Sequence, residues 1–277
     1  MTTTSPVVRR RRLGLELRRL RESATLKGAE VAKALKWSTS KVSRVEAGRT
    51  APTLADVTRL LDLYGVDDPE QRDRLAILTR EARKKGWWQL YSDIPHSTYI
   101  GLEAEAESIL TYENVVPGLF QTRRYAEAIN LGTVPGLSDE GQEQRVDVRM
   151  QRQQVLTGNS PLEVRAVLDE SALRRMVGGV DVMREQLERL LEVAELPNVI
   201  LQVIPFSCGA HPGTMVGPFI VLRFPHQEDP DVVYTEGNTD SYPADIQRYE
   251  VLFDYVRANA MSVVDSVALI RNMVDEL

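Results

Sequence analysis

The sequence predicts two domains: an all-α N-terminal domain of five short helices over residues 1–85, and a mixed α/β C-terminal domain with a small sheet and flanking helices over residues 86–277. Three observations carry this division. A chain of 277 residues with 43% hydrophobic and 27% charged content is globular and long enough for two cores. Of its 34 Lys and Arg, 20 fall in residues 1–85 against 11 of the 40 Asp and Glu, so residues 86–277 hold 14 against 29 and the two parts face different partners. Apolar positions recur at helical spacing throughout the first part, whereas strand-like runs begin only near Leu162.

The helices follow in order. Leu13, Leu17 and Leu20 recur at four and three with arginines between them, which predicts an amphipathic helix from Leu13; Arg9–Arg12 before it read as a solvated run or the start of a basic surface. Ala29–Leu35 is a second, short helix with Val31, Ala34 and Leu35 inward. Ser38 is a good N-cap for a third starting at Thr39, and Gly48 a good stop for it. Pro52 and Thr53 open a fourth, whose Leu54, Val57, Leu60 and Leu61 lead to Gly65. A fifth runs from about Pro69 to Lys85.

The tight join between the second and third helices is the helix-turn-helix arrangement. With Val42 and Val45 inward, Thr39, Ser40, Ser43 and Arg44 share the outer face of the third helix. Small polar residues let a helix approach the floor of the major groove, and the planar fork of Arg44 suits O6 and N7 of guanine. These four are the expected base-facing residues. Lys27, Lys41, Arg49 and Thr50 surround them and are expected at phosphates, where contacts position a helix without reading sequence. Glu30 and Glu46 are expected to brace the domain by local pairing.

Residues 13–64, in particular "EVAKALKWSTSKVSRVEAGRTAPTLADVTRLLDLYGV", resemble the Xre-type, phage-repressor-like helix-turn-helix. Beyond it, "GWWQLYSDI", "YIGLEAEAESILTYENVVPGLFQTRRYAEAI", "VLDESALRRMVGG", "LPNVILQVIPFSCGAHPG" and "FPHQEDPDVVYTEG" resemble the actinobacterial Xre regulators that carry a C-terminal domain of unknown function. The resemblance implies sequence-specific binding of a double-stranded DNA operator and transcriptional regulation. It also implies a possible small partner protein encoded nearby, some of these regulators being described as antitoxin-like. The fold usually carries Ser or Thr followed by Gln at the start of the second helix; here Lys27 and Gly28 stand there, so one expected side-chain contact is missing.

In the second part, Trp87, Trp88 and Tyr91 read as a plug between domains rather than a stacking platform for bases. Helices are expected over Tyr99–Leu110, Arg123–Leu131 and Ser138–Thr157, the last facing solvent or a dimer partner, with solvent the preferred reading. "LEVRAVL", "NVILQVIPF", "GPFIVLRF" and "DVVYTE" read as four strands. "DVMREQLERLLEVAEL", "PADIQRYEVLFDYVRANA" and "SVVDSVALIRNMVDEL" read as helices flanking them.

No catalytic constellation emerges, and the chain is expected not to be an enzyme. Cys208 lies three residues before His211, but the sequence identifies no orienting carboxylate for that pair. His96, His211 and His226 share no metal-ligand spacing, so neither metal nor cofactor is expected. Gly178 and Gly179 are a helix stop and turn, and Asp169 is expected to cap the short helix "ESALRRM". One cysteine and no long apolar stretch point to a soluble, cytoplasmic protein with no membrane contact. One short recognition helix reads few base pairs, so a homodimer is expected. The C-terminal domain is then a dimerisation domain that binds a small-molecule effector, with His211 and Glu236 as its candidate contacts, or a partner protein. The alternative is an antitoxin-like or enzymatic C-terminal module, with the helix-turn-helix serving autoregulation.

Overall fold

The computed structural model describes residues 5–91, 97–235 and 243–277. They form two compact units that do not follow a single cut in the chain. One takes the residues up to Leu90, the stretch ending at Glu105, and His226–Asp229; the other takes Ala106–Pro225 and Pro230–Leu277.

The first unit is helical: α1 (Pro6–Ser23), α2 (Gly28–Leu35), α3 (Thr39–Glu46), α4 (Leu54–Tyr64), α5 (Pro69–Ala82) and α6 (Ser97–Glu103). Helix α1 starts seven residues before the expected Leu13. Ser5 caps it through a 3.3 Å bond from the Val7 N–H, and Pro6 supplies a preset φ at its first position. The arginine run is therefore helical. The other caps are those expected: Ser38 accepts from Lys41 N–H at 3.1 Å, and Gly48 and Gly65 end their helices at positive φ. Leu13, Leu17, Val31, Val42, Val45, Val57, Leu60 and Leu61 make one core, all nearly inaccessible to water.

Two features fix α3 on α1. A Cβ at Gly14 would lie 2.5 Å from the Glu46 carbonyl oxygen, so the two helix backbones meet at a distance only glycine permits. Arg21 grips the Glu46 carboxylate through Nε at 2.6 Å and Nη2 at 3.0 Å, and donates a third bond to the Leu26 carbonyl. Hydrogen bonding to Glu46 raises the Arg21 pKa, and burial, helped by the Glu46 charge, pushes the Tyr64 phenol up.

The arginines of α1 have acidic partners far along the chain. Arg9 lies 3.8 Å from Glu105 and 3.6 Å from Asp229, and Arg12 lies 3.2 Å from Glu228. The Ser5 N–H also donates to Glu105. Burial raises the carboxyl pKa of both Asp229 and Glu105 despite these cations. Trp88 is buried here too, its ring against Gly86 and Gly101.

The second unit holds β1 (Ser108–Glu113), α7 (Arg123–Thr133), α8 (Asp139–Arg152), β2 (Glu163–Asp169), α9 (Ser171–Arg174), α10 (Val180–Ala194), β3 (Val199–Ile204), α11 (Pro212–Val216), β4 (Phe219–Arg223), β5 (Val232–Tyr234), α12 (Pro243–Ala258) and α13 (Val263–Glu276). The sheet has five strands in the order β3-β2-β1-β4-β5. Strands β1, β2 and β3 run parallel through helical crossovers; β4 is antiparallel to β1, and β5 to β4.

Four of these strands are the expected ones, and the fifth is a correction. The helix expected over Tyr99–Leu110 ends at Glu103, and Ser108–Glu113 is the central strand. "SILTYE" is buried along Ile109–Tyr112, as a strand covered on both faces must be, so it shows no polar alternation to announce it. The preceding "EAEAES" is rich in helix formers and extends the apparent helix through it.

Leu110, Tyr112, Val167, Ile204, Phe219, Val221 and Val233 form the sheet's core with Phe253 and Val256 of α12. The edge at β3 is covered: Val203 N–H donates to Ser266 Oγ at 3.0 Å, and its carbonyl accepts from Met261 N–H at 2.9 Å. Helix α8, expected to face solvent, buries Val146 and Val148. Its Arg149 donates to Gln121 Oε1 at 2.7 Å. Gln153, just past its end, donates to the Gln121 carbonyl at 2.7 Å, and both hold the loop "VPGLFQT" in place.

Candidate functional site

In the first unit, α3 presents the four residues expected to read bases. Thr39, Ser40, Ser43 and Arg44 are all exposed, and Val42 and Val45 are buried behind them at 4% and 2% of full exposure. The split follows from helical spacing: the inward valines stand three apart and anchor the helix, which leaves the polar residues on the opposite side. Ser40 Oγ lies 2.9 Å from Ser38 Oγ, so its hydroxyl is oriented by the cap.

Of the four residues expected at phosphates, Lys27, Arg49 and Thr50 are exposed. Lys27 precedes α2, where its backbone N–H donates to Glu30 at 2.6 Å. Arg49 and Thr50 follow α3, their N–H groups tied to the Arg44 carbonyl at 2.9 and 3.2 Å. Positively charged side chains thus stand at the start of the motif and just past α3. The braces expected of Glu30 and Glu46 are present in these bonds and in the Arg21 grip.

Lys41 is placed differently. It is half-buried, its Nζ lying 3.7 Å over the Trp37 ring and 3.5 Å from Asp56 Oδ2. Asp56 is itself fixed, because its Oδ2 accepts from the Thr53 N–H at 3.2 Å while Thr53 Oγ1 accepts from the Asp56 N–H at 3.0 Å. Trp37 and Asp56 are neighbours of the polar face that helical spacing within α3 does not reveal. The four-residue step from Trp37 to Lys41 was readable; the approach of Asp56 needed the α3–α4 packing.

The second unit brings together groups that the sequence listed separately. His211 is buried, with Nε2 at 3.4 Å from Asp169 Oδ2, and its ring stands edge-on to Tyr112 with centroids 5.7 Å apart. Asp169 also accepts from the Ser171 N–H at 2.9 Å, one residue before the Glu170 N-cap of α9 rather than at the cap position expected of it. Burial first, and then the Asp169 charge, push the Tyr112 phenol up. The cluster lies at the carboxyl ends of β1 and β2, beneath the segment that follows β3. A Cβ at Gly213 would lie 2.4 Å from the Tyr112 ring, so α11 sits directly on it.

Asp169 is thus a carboxylate partner for His211, found through the fold. Cys208 does not join them; its Sγ lies 3.7 Å from Asn259 Oδ1. His211 Nδ1 is buried with no hydrogen-bond partner. Glu236 and His96 lie outside the described residues. No group of His, Cys, Asp and Glu suited to a metal ion occurs among the described residues, and no helix there is long and apolar enough to cross a membrane.

A helix-turn-helix domain model matches residues 12–75, which span α1 to the middle of α5. It supports DNA binding by this unit. A second family model, described as a domain of unknown function (DUF5753), matches residues 96–272. No curated protein and no solved structure matches the chain. With the larger match covering more than half of its length, the chain belongs to the DUF5753 family, and it joins that domain to an N-terminal helix-turn-helix.

Proposed function

We propose that this protein is a sequence-specific, DNA-binding transcriptional regulator of the cytoplasm that acts as a homodimer. The observation that carries the reading is the outer face of α3, where Thr39, Ser40, Ser43 and Arg44 stand exposed over buried valines. In this reading Arg44 reads guanine, the three small residues allow close approach, and Lys27, Arg49 and Thr50 meet phosphates, while Lys41, expected among them, is held beside Asp56. Two copies place their recognition helices about 34 Å apart on a two-fold operator. The resemblance to actinobacterial Xre regulators supports the same assignment.

The C-terminal domain in this reading is not an enzyme. It binds a small-molecule effector, for which Glu236 is a candidate contact and the buried His211 ring is closed to direct approach, or a small partner protein encoded nearby. One observation favours the enzymatic branch of the alternative, an antitoxin-like or enzymatic module: the contact of Asp169 with His211 has the form of a carboxylate orienting a base. Against it stands the imidazole side chain, only 4% exposed, which leaves a substrate no approach to the ring.

The test is a gel-shift series on specific and scrambled duplexes at two salt concentrations. Arg44→Ala is expected to relax sequence preference at a cost of about 1 to 3 kcal/mol, whereas Arg49→Ala weakens all sequences alike and flattens the salt dependence. Equal behaviour of the two variants overturns the division into base and phosphate contacts.

A further inference from the structure

The Lys41–Asp56 pair has a consequence for binding strength. Lys41 stands between Ser40 and Val42 on the flank of α3, the helix presented to DNA in the reading above, on which this inference rests. Its Nζ already has two partners, the Trp37 ring at 3.7 Å and the Asp56 carboxylate at 3.5 Å. Asp56 cannot follow the lysine outward, because the reciprocal bonds with Thr53 hold its carboxylate at the first turn of α4. A phosphate that recruits Lys41 must therefore replace Asp56 or approach a pair whose net charge is zero. Glu46, the carboxylate within α3 itself, is held by Arg21 and leaves Lys41 alone.

We propose that Asp56 is a brake on DNA affinity: it holds Lys41 back from phosphate and so lowers binding strength equally for all sequences. Asp56 is a positioning residue that acts through Lys41. Because the contact it restrains is sequence-independent, its effect belongs in the salt dependence of binding rather than in operator choice.

The experiment measures binding of the full chain to a labelled random-sequence duplex across a salt series, by fluorescence anisotropy. Asp56→Asn keeps an acceptor for the Thr53 N–H and removes the charge. It is expected to tighten binding about three- to tenfold at low salt and to steepen the slope of log K against log salt by about 0.9, the value for one added phosphate contact. Lys41→Ala is expected to change little in the native background and to abolish the gain in the Asp56→Asn background. Asp56→Ser, which also keeps a cap acceptor, serves if the asparagine variant folds poorly, and tryptophan-monitored unfolding checks each variant.

An unchanged slope in Asp56→Asn overturns the proposal. So does a gain that survives Lys41→Ala, since Asp56 would then act by repelling phosphate directly. Failure of every variant to bind even at low salt removes the DNA-binding reading itself, and the brake with it.

Discussion

Gly14→Ala tests whether the close approach of α1 to α3 holds the polar face of α3 in place. In an unhindered helix interior, alanine in place of glycine stabilises by about 1 kcal/mol, because it removes backbone freedom from the unfolded chain. Here the added carbon would meet the carbonyl oxygens of Glu46 at 2.5 Å and Val45 at 2.6 Å. Both are main-chain atoms at the end of α3, so relief requires moving one helix off the other by several tenths of an ångström. Overpacking of this kind costs about 1 to 3 kcal/mol, and the upper half of that range applies where backbone meets backbone. Against the propensity gain, the net expected loss is about 1 to 2 kcal/mol. The assay is urea unfolding followed by tryptophan emission. All three tryptophans, Trp37, Trp87 and Trp88, lie in the first unit, so the signal reports that unit alone. A gain of about 1 kcal/mol would show an unhindered helix glycine and refute the close approach.

Further perturbations test other parts of the structure. Lys36, in the turn between α2 and α3, has a left-handed backbone with φ of 56°, so Lys36→Gly is expected to raise the first unit's stability by about 1 kcal/mol in the same unfolding assay. Burial raises the Asp229 carboxyl above its ordinary range, so the folded unit keeps that proton to higher pH than the unfolded chain does. Its contribution is therefore fully present below the ordinary carboxylate range and is lost as the pH rises through the raised value. The stability of the native protein relative to Asp229→Asn should accordingly fall as the pH rises above the ordinary carboxylate range; a difference that rises with pH contradicts the assignment. Asp169→Ala removes the partner of His211 and of the Ser171 N–H together, and is expected to destabilise the second unit by about 2 kcal/mol. Cys208, the chain's only cysteine, should then react faster with a thiol reagent, and an unchanged rate argues against the cluster.

The helices of the first unit were legible because local chemistry specifies them. Ser38, Thr53, Gly48 and Gly65 act within a turn of their own positions, so caps and stops can be read residue by residue. The start of α1 was legible in the same terms, since Ser5 and Pro6 form a cap and a first position; the arginines that follow drew attention to charge instead. Strand β1 was not, because a strand buried on both faces lacks alternation and its preceding segment favours helix. The pairing of Arg9 and Arg12 with Glu105, Glu228 and Asp229 spans more than ninety residues of chain. No periodicity carries information over that separation.

The same limit governs the candidate site. Charge counting made residues 1–85 strongly basic, and each arginine or lysine there was a potential phosphate contact. Folding changes which of them count. Arg9 and Arg12 meet carboxylates, Arg21 is bound to Glu46, and Lys41 is held between Trp37 and Asp56. What distinguishes the α3 face is therefore its shape: three small hydroxyl side chains beside one arginine, fixed from behind by two valines and from the end by Gly14 and Arg21. A surface chosen for charge alone would not need that rigidity, since phosphate attraction tolerates motion, whereas reading base edges demands a helix held to within a fraction of an ångström. The bracing of α3 is thus the stronger support for the proposal that this unit discriminates among sequences.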